Sequence, residues 1–201
     1  MLTLYHSPLT RSVRIVWLLE ELGLPYELRS VPFEPPAPKP FAQKTPFGKV
    51  PALEDDGVAM FESGAILEYV LEKYGGGRLA PAPGDPRRAR FLQWVHFADS
   101  TGFSGLGNLA WHTRHRQDAE RIPDAIADYT TWATAALDAL ERELAGKRFI
   151  LGEEFSGADV MLGYTVLVAK SFGVLGEGHP NVNAYLARLS ERPALRKALR
   201  A

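Results

Sequence analysis

Phe47-Gly48-Lys49-Val50-Pro51-Ala52-Leu53, followed after a short interval by Phe61-Glu62-Ser63-Gly64-Ala65-Ile66, is the stretch on which the reading of this chain turns. Pro46 and Gly48 make a turn that enters a short apolar strand with a proline at its beginning. Proline has no N–H to give to a sheet ladder, so position 51 is expected at an edge, a bend or a cis bond. The reading favours a cis Val50–Pro51 bond, with the N–H and C=O of Val50 directed to a bound peptide. The second segment sets a carboxylate and a hydroxyl at the start of an apolar-periodic helix, where N–H groups without intrahelical partners attract an anion. Together these offer a strand-like edge, an anion nest and an acid for an amine. A small peptide carrying both charges fits that set. The competing structural reading makes Ser63 a plain N-cap and Glu62 a helix-dipole partner.

Outward from this stretch, residues 1–76 alternate short strands and helices. Strands are expected at Leu2–Tyr5, Tyr26–Val31, Val50–Leu53 and Val58–Met60, the last two joined by Asp55-Asp56-Gly57 as a hairpin turn. A helix from Thr10 carries Ile15, Leu18, Leu19 and Leu22 at i, i+3, i+4 and i+7 and stops at Gly23 and Pro25. A second runs from Ser63 to Tyr74. The proline-rich run from Pro32 to Pro40 is expected as a surface loop. Residues 77–86, rich in glycine and proline, form a linker. Beyond it the pattern is helical, with helices expected at about 86–115, 123–145, 157–173, 182–190 and 193–200. Gly102, Gly105 and Gly107 suggest a kink or interruption in the first of these. Ser156-Gly157-Ala158-Asp159 reads as a capping box with Phe155 and Val160 at the staple positions, a folding element and not an active site.

With 23 Lys and Arg against 24 Asp and Glu, the formal charge of −1 gives no net basicity to favour nucleic acid or an anionic membrane. Arg188, Arg192, Arg196 and Arg200 recur every four residues and are expected as a solvated stripe. The absence of cysteine excludes disulfides, thiolate metal sites and a protein thiol nucleophile. It also fits a reducing compartment, and no signal-peptide pattern or long apolar run is present, so a cytoplasmic location is expected. His96 with Asp99, and His112 with His115, lie at i, i+3 but have no third ligand placed beside them, so no metal site is expected.

Tyr5-His6-Ser7-Pro8-Leu9-Thr10-Arg11-Ser12-Val13-Arg14, the run from Trp17 through Glu27, Thr45 through Leu53, Glu62-Ser63 and Phe155 through Asp159, in this order and spacing, resemble a soluble glutathione transferase over essentially the whole chain. The resemblance is to bacterial-like members of the serine or threonine type, since the cysteine-type members place a cysteine near the first helix. It implies an α/β thioredoxin-like glutathione-binding domain over 1–76, the linker 77–86, and an all-α electrophile-binding domain over 87–201. It further implies a homodimer, glutathione as co-substrate without a metal, and conjugation of the glutathione thiolate to small hydrophobic electrophiles. Glutathione-dependent reduction of a peroxide or disulfide, or a binding protein that has lost catalysis, are the alternatives.

A thiol with a pKa of about 8.5 is only a few per cent ionised at neutral pH, so the enzyme must stabilise the thiolate. Tyr5 occupies the place of the tyrosine-type members, but the hydroxyl-bearing loop after it resembles the serine type. Thr10, then Ser12, then Ser7 are the candidate donors to sulfur, each also a possible helix cap. Ser63 and Glu62 are expected on the γ-glutamyl carboxylate and amino group, and Val50, beside Pro51, on the cysteinyl backbone. Lys49, Gln43 and Lys39 are expected near the glycine end. Phe103, Leu106, Trp111 and Tyr164 are candidates for an electrophile pocket between the domains, against the reading of each as ordinary core.

Overall fold

Short apolar segments separated by an amphipathic helix build a sheet only if the helix returns the chain to pair a second strand alongside the first. That unit opens the computed structural model of the protein, which describes residues 1–32, 45–117 and 122–201. β1 (Leu2–His6) is buried along its whole length, and α1 (Ser12–Leu22) returns the chain to β2 (Tyr26–Ser30), parallel to β1. β3 (Ala52–Asp55) lies antiparallel on the other side of β1, and β4 (Val58–Phe61) forms the outer edge, giving the order β2-β1-β3-β4. Asp56 and Gly57 join β3 to β4 with φ of +48° and +84°, the two positive values that a two-residue hairpin turn of matching twist requires.

α1 buries Val13, Ile15, Val16, Trp17, Leu18 and Leu19 and ends where the pattern predicts. Gly23 takes φ +65° and the Leu24 N–H closes back on the Leu19 carbonyl at 3.0 Å. Its start falls two residues later than the periodicity suggests. Thr10 is held in a turn by its own side chain, which bonds the Ser7 carbonyl at 2.7 Å, and it cannot join the helix at the same time. β3 likewise begins at Ala52, after the cis Val50–Pro51 bond, since proline cannot take a place in the ladder. α2 (Ser63–Tyr74) is tied to the hairpin through Asp55, whose Oδ2 accepts from Tyr74 at 2.6 Å, Lys73 at 2.7 Å and Tyr69 at 2.8 Å. Burial pushes that carboxyl up, but the hydrogen bonds from Lys73, Tyr74 and Tyr69 outweigh it and hold its pKa at about 2.

The chain forms two compact units, Met1–Ala80 with Ser190–Ala201, and Pro81–Leu189. In the second, α3 (Arg87–Asp99) and α4 (Thr101–Ala110) are separated at Ser100, and a π turn (Trp111–His115) follows. The interruption foreseen from the glycines therefore falls just before them. Gly105 has a packing role: a Cβ there would stand 2.7 Å from the Tyr129 carbonyl oxygen and 2.8 Å from the Ala133 nitrogen of α5 (Pro123–Glu143). α6 (Gly157–Ser171) is buried on nearly every side and begins with the capping box, and α7 (Pro180–Ser190) follows.

α8 (Pro193–Ala198) packs against α1 in the first unit. Arg192 grips Glu21 with two bonds of 2.6 and 2.7 Å, Lys197 meets Glu20 at 2.8 Å, and Leu195 is fully buried. Arg192 is therefore a docking residue and not part of a solvated stripe; the spacing of four is broken by Pro193, which starts a new helix. Among the described residues no helix is long and apolar enough to cross a membrane, and no three His, Asp or Glu side chains could hold a metal together.

Candidate functional site

The first unit carries a depression lined by Arg11, Thr45, Phe47, Lys49, Val50, Pro51, Phe61, Glu62 and Ser63. Two segments far apart in sequence form it because β3 and β4 are neighbours, which sets the turn before Pro51 beside the end of β4. The turn is built locally. Thr45 is buried, its carbonyl accepts the Gly48 N–H at 3.2 Å, and its hydroxyl accepts the Lys49 N–H at 3.2 Å. Phe47 stands 72% exposed at the rim, its ring edge-on to Phe61 at 6.4 Å.

Glu62 caps α2 at φ +71° and ψ +113°, a region that costs a non-glycine residue about 1–3 kcal/mol. Its carbonyl takes the Ile66 N–H at 2.9 Å, so the N–H groups before Ile66 have no intrahelical acceptor at the end of α2 that borders the depression. The Ser63 hydroxyl oxygen, nearly enclosed, accepts a 2.9 Å bond from Nη1 of Arg14, itself fully buried. With its oxygen occupied by that donor, the Ser63 hydroxyl hydrogen is available to a ligand acceptor, and the guanidinium places positive charge under the nest.

Beside this lies the hydroxyl loop. Leu9 takes φ +60°, and the Thr10 N–H closes the turn on the Ser7 carbonyl at 3.4 Å. Ser12 has no exposed surface; its Oγ lies 2.7 Å from Thr10 Oγ1, 2.8 Å from His6 Nδ1 and 3.1 Å from the Ser7 carbonyl, and accepts the Ser7 N–H at 3.2 Å. Ser7 is buried as well, so of the three candidate hydroxyls only Thr10 reaches the surface, next to Arg11 of the depression. The Tyr5 hydroxyl is engaged elsewhere, donating to Glu54 at 3.2 Å and accepting from Arg29 at 3.3 Å.

The structure thus brings Lys49, Val50, Pro51, Glu62 and Ser63 together, and Ser7, Thr10 and Ser12 into one network. Lys39 and Gln43 lie outside the described residues. In the second unit Phe103 and Tyr164 stack at 6.1 Å and 21°, Leu106 is core at 2% exposure, and Trp111 stands 55% exposed in the π turn. Sequence reasoning passed over Arg11, Arg14 and His6. For Arg14 a signal was present: a charge flanked by Val13, Ile15 and Val16 inside an apolar helix rarely stays buried without a purpose.

Residues 1–72 match the family model described as glutathione S-transferase, N-terminal domain, and residues 110–188 that described as glutathione S-transferase, C-terminal domain. The chain is 31% identical over 207 residues to glutathione S-transferase GstB of Escherichia coli, covering 99% of this chain and 98% of that protein. A glutathione transferase of Phanerochaete chrysosporium, solved in complex with oxidized glutathione, superposes with a TM-score of 0.89 at 28% identity, over 99% of this chain and 94% of that one. Another from Burkholderia graminis, with two glutathione molecules bound per subunit, does so with a TM-score of 0.88 at 29% identity, over 100% of this chain and 88% of that one.

Proposed function

The chain belongs to the glutathione S-transferase family, whose general reaction joins the glutathione thiolate to an electrophile, and we propose that the depression of its first unit holds glutathione as co-substrate. The observation that carries this reading is the Arg14–Ser63 pair beneath the strained Glu62 at the start of α2. The γ-glutamyl carboxylate takes the Ser63 hydroxyl and the first N–H groups of α2, where the helix dipole and Arg14 both favour an anion. The amino group meets the Glu62 carboxylate. Val50 pairs with the cysteinyl backbone beside Pro51, and Lys49 serves the glycyl carboxylate, with Lys39 and Gln43 from the preceding loop. The sulfur then lies at the hydroxyl loop, where Thr10 is the exposed donor.

Phe103 and Trp111 are the second unit's proposed contacts for a small hydrophobic electrophile, with Tyr164, 5% exposed, behind the Phe103 ring it stacks on, whereas Leu106, at 2% exposure, acts through packing. A homodimer working in the cytoplasm completes the reading. A reductive reaction, in which a second glutathione attacks a first adduct, gains support from the Burkholderia relative with its two glutathione molecules. Retention on immobilised glutathione, followed by assays with a chloronitroaromatic and with a hydroperoxide or disulfide, separates these readings. Retention with turnover of the chloronitroaromatic is expected. No retention would remove the glutathione site, and retention with turnover of the hydroperoxide or disulfide alone would move the chemistry to reduction.

A further inference from the structure

Three short contacts run inward from the surface hydroxyl: Ser7 O to Thr10 Oγ1 at 2.7 Å, Thr10 Oγ1 to Ser12 Oγ at 2.7 Å, and Ser12 Oγ to His6 Nδ1 at 2.8 Å. A contact this short between two electronegative atoms needs a hydrogen between them. On the far side of the ring, His6 Nε2 lies 3.2 Å from the Ala201 carbonyl oxygen. A carbonyl only accepts, so Nε2 carries its hydrogen, and a neutral His6 has none on Nδ1. Two hydroxyl hydrogens are then left to fill three contacts. One more proton, on His6 Nδ1, fills all three: Nδ1–H to Ser12, Ser12 O–H to Thr10, and Thr10 O–H to the Ser7 carbonyl, an acceptor that a thiolate at Thr10 would replace.

We propose that His6 is a positioning residue of the reaction, taking up the proton of the glutathione thiol through Ser12 and Thr10 and so turning the Thr10 hydrogen toward the thiolate. The proposal rests on the reading that the glutathione sulfur meets Thr10. The step balances. The S–H bond breaks and its proton goes to Thr10 Oγ1; the Thr10 hydrogen passes to Ser12 Oγ, and the Ser12 hydrogen to His6 Nδ1. Sulfur gains a negative charge, His6 a positive one, and the net charge is unchanged. Every hydrogen bond along the path reverses direction without any heavy atom moving. The new Thr10 O–H then donates to the anion it has just created.

Burial pushes the His6 pKa down, partly offset by the Ala201 carbonyl. The ring meets the Ser12 hydroxyl of α1 at Nδ1 and the main-chain oxygen of Ala201 at Nε2. Burial thus favours the neutral ring in the free enzyme, the state in which the network is one proton short. A thiolate held at Thr10 supplies the negative charge that favours loading it.

Nitrogen NMR of the imidazoles, with His6 assigned among the five histidines, tests this in the unaltered protein. Saturation with glutathione at neutral pH is expected to protonate Nδ1 of His6, and saturation with S-methylglutathione, which has no thiol proton, to leave it bare. A His6 ring that stays neutral while the ultraviolet absorbance shows bound thiolate overturns the proposal. His6→Gln keeps a donor and an acceptor but holds no extra proton. It is expected to raise the bound thiol pKa by about one unit, a roughly ten-fold loss of thiolate at neutral pH. Affinity for S-methylglutathione should change little. Thr10→Val separates the two levels of inference. A shifted thiolate titration in Thr10→Val with an unshifted one in His6→Gln refutes the relay alone, and an unshifted titration in Thr10→Val refutes the placement of sulfur as well. Should His6→Gln fail to fold, the NMR measurement decides.

Discussion

α2 opens on Glu62-Ser63 and α6 on Ser156-Gly157-Ala158-Asp159, and in sequence both are an acid and a hydroxyl at a helix start. In the structure their polar groups are spent in opposite directions. At α6 everything turns inward: Asp159, with no exposed surface, accepts from the Ser156 N–H at 2.8 Å and hydroxyl at 2.8 Å, the Ile150 N–H at 2.9 Å and the Tyr185 hydroxyl at 2.9 Å. Burial pushes this carboxyl above its usual range, against the pull of those donors. At α2 the acid precedes the hydroxyl, so it cannot reach back to form the box, and it stands exposed in a strained conformation. The hydroxyl beside it has a buried cation for a partner and a depression in front of it. A helix start that satisfies itself is a folding element; one that leaves its first N–H groups without such partners is where we propose the ligand carboxylate binds. The order of the two residue types decides which arises.

The largest expected effect breaks the inward arrangement. Asp159→Ala leaves the Ile150 and Ser156 N–H groups and the Tyr185 hydroxyl without their acceptor in a buried place. At about 1–3 kcal/mol for each unsatisfied group, the loss should reach at least about 3 kcal/mol. Chemical denaturation measures it, and glutathione affinity of the protein that remains folded should be unaltered. A variant of normal stability would show that the Asp159 bonds do not carry the fold of the second unit, and altered affinity would undo the contrast with α2.

Ser63→Ala tests the outward arrangement, with a smaller effect expected in a different measurement. Loss of one hydrogen bond to a charged carboxylate should weaken glutathione binding by about 1.5–3 kcal/mol. Stability should fall too, since the buried Arg14–Ser63 bond is lost, but titration calorimetry reads the affinity separately. Unchanged affinity would take the carboxylate away from this helix and reduce Ser63 to a support for Arg14.

How far each arrangement was legible depended on the range of the interactions. The capping box, the Asp56–Gly57 turn, the cis Val50–Pro51 bond and the Gly23 stop are settled within a few residues, where turn and capping chemistry applies directly. The Arg14–Ser63 bond spans 49 positions and the His6–Ala201 bond 195. No local pattern indicates that the chain beyond Ser190 returns to α1, because Arg192 and Lys197 find Glu21 and Glu20 only once the sheet and both helices are in place. Proline spacing and apolar period thus read the scaffold well. The partners that give Ser63 and Thr10 their chemistry are read only from the assembled fold.

The smallest effect expected is also the most discriminating, because it separates strain from contact at a single residue. Glu62→Ala removes the carboxylate but keeps a Cβ at φ +71°, so the backbone cost stays. Glu62→Gly removes both, and glycine takes positive φ without that cost. If the strain is held for the ligand, both variants should bind glutathione about equally weakly, and only the glycine variant should gain stability, by about 1 kcal/mol relative to alanine. The gain is set against the greater freedom of glycine in the unfolded chain, which recovers a few tenths at a capping position. Thermal unfolding of the two proteins side by side reads the difference directly. A glycine variant no more stable than alanine would mean that position 62 bears no net strain. The contrast between α2 and α6 would then rest on Arg14 and the order of acid and hydroxyl alone.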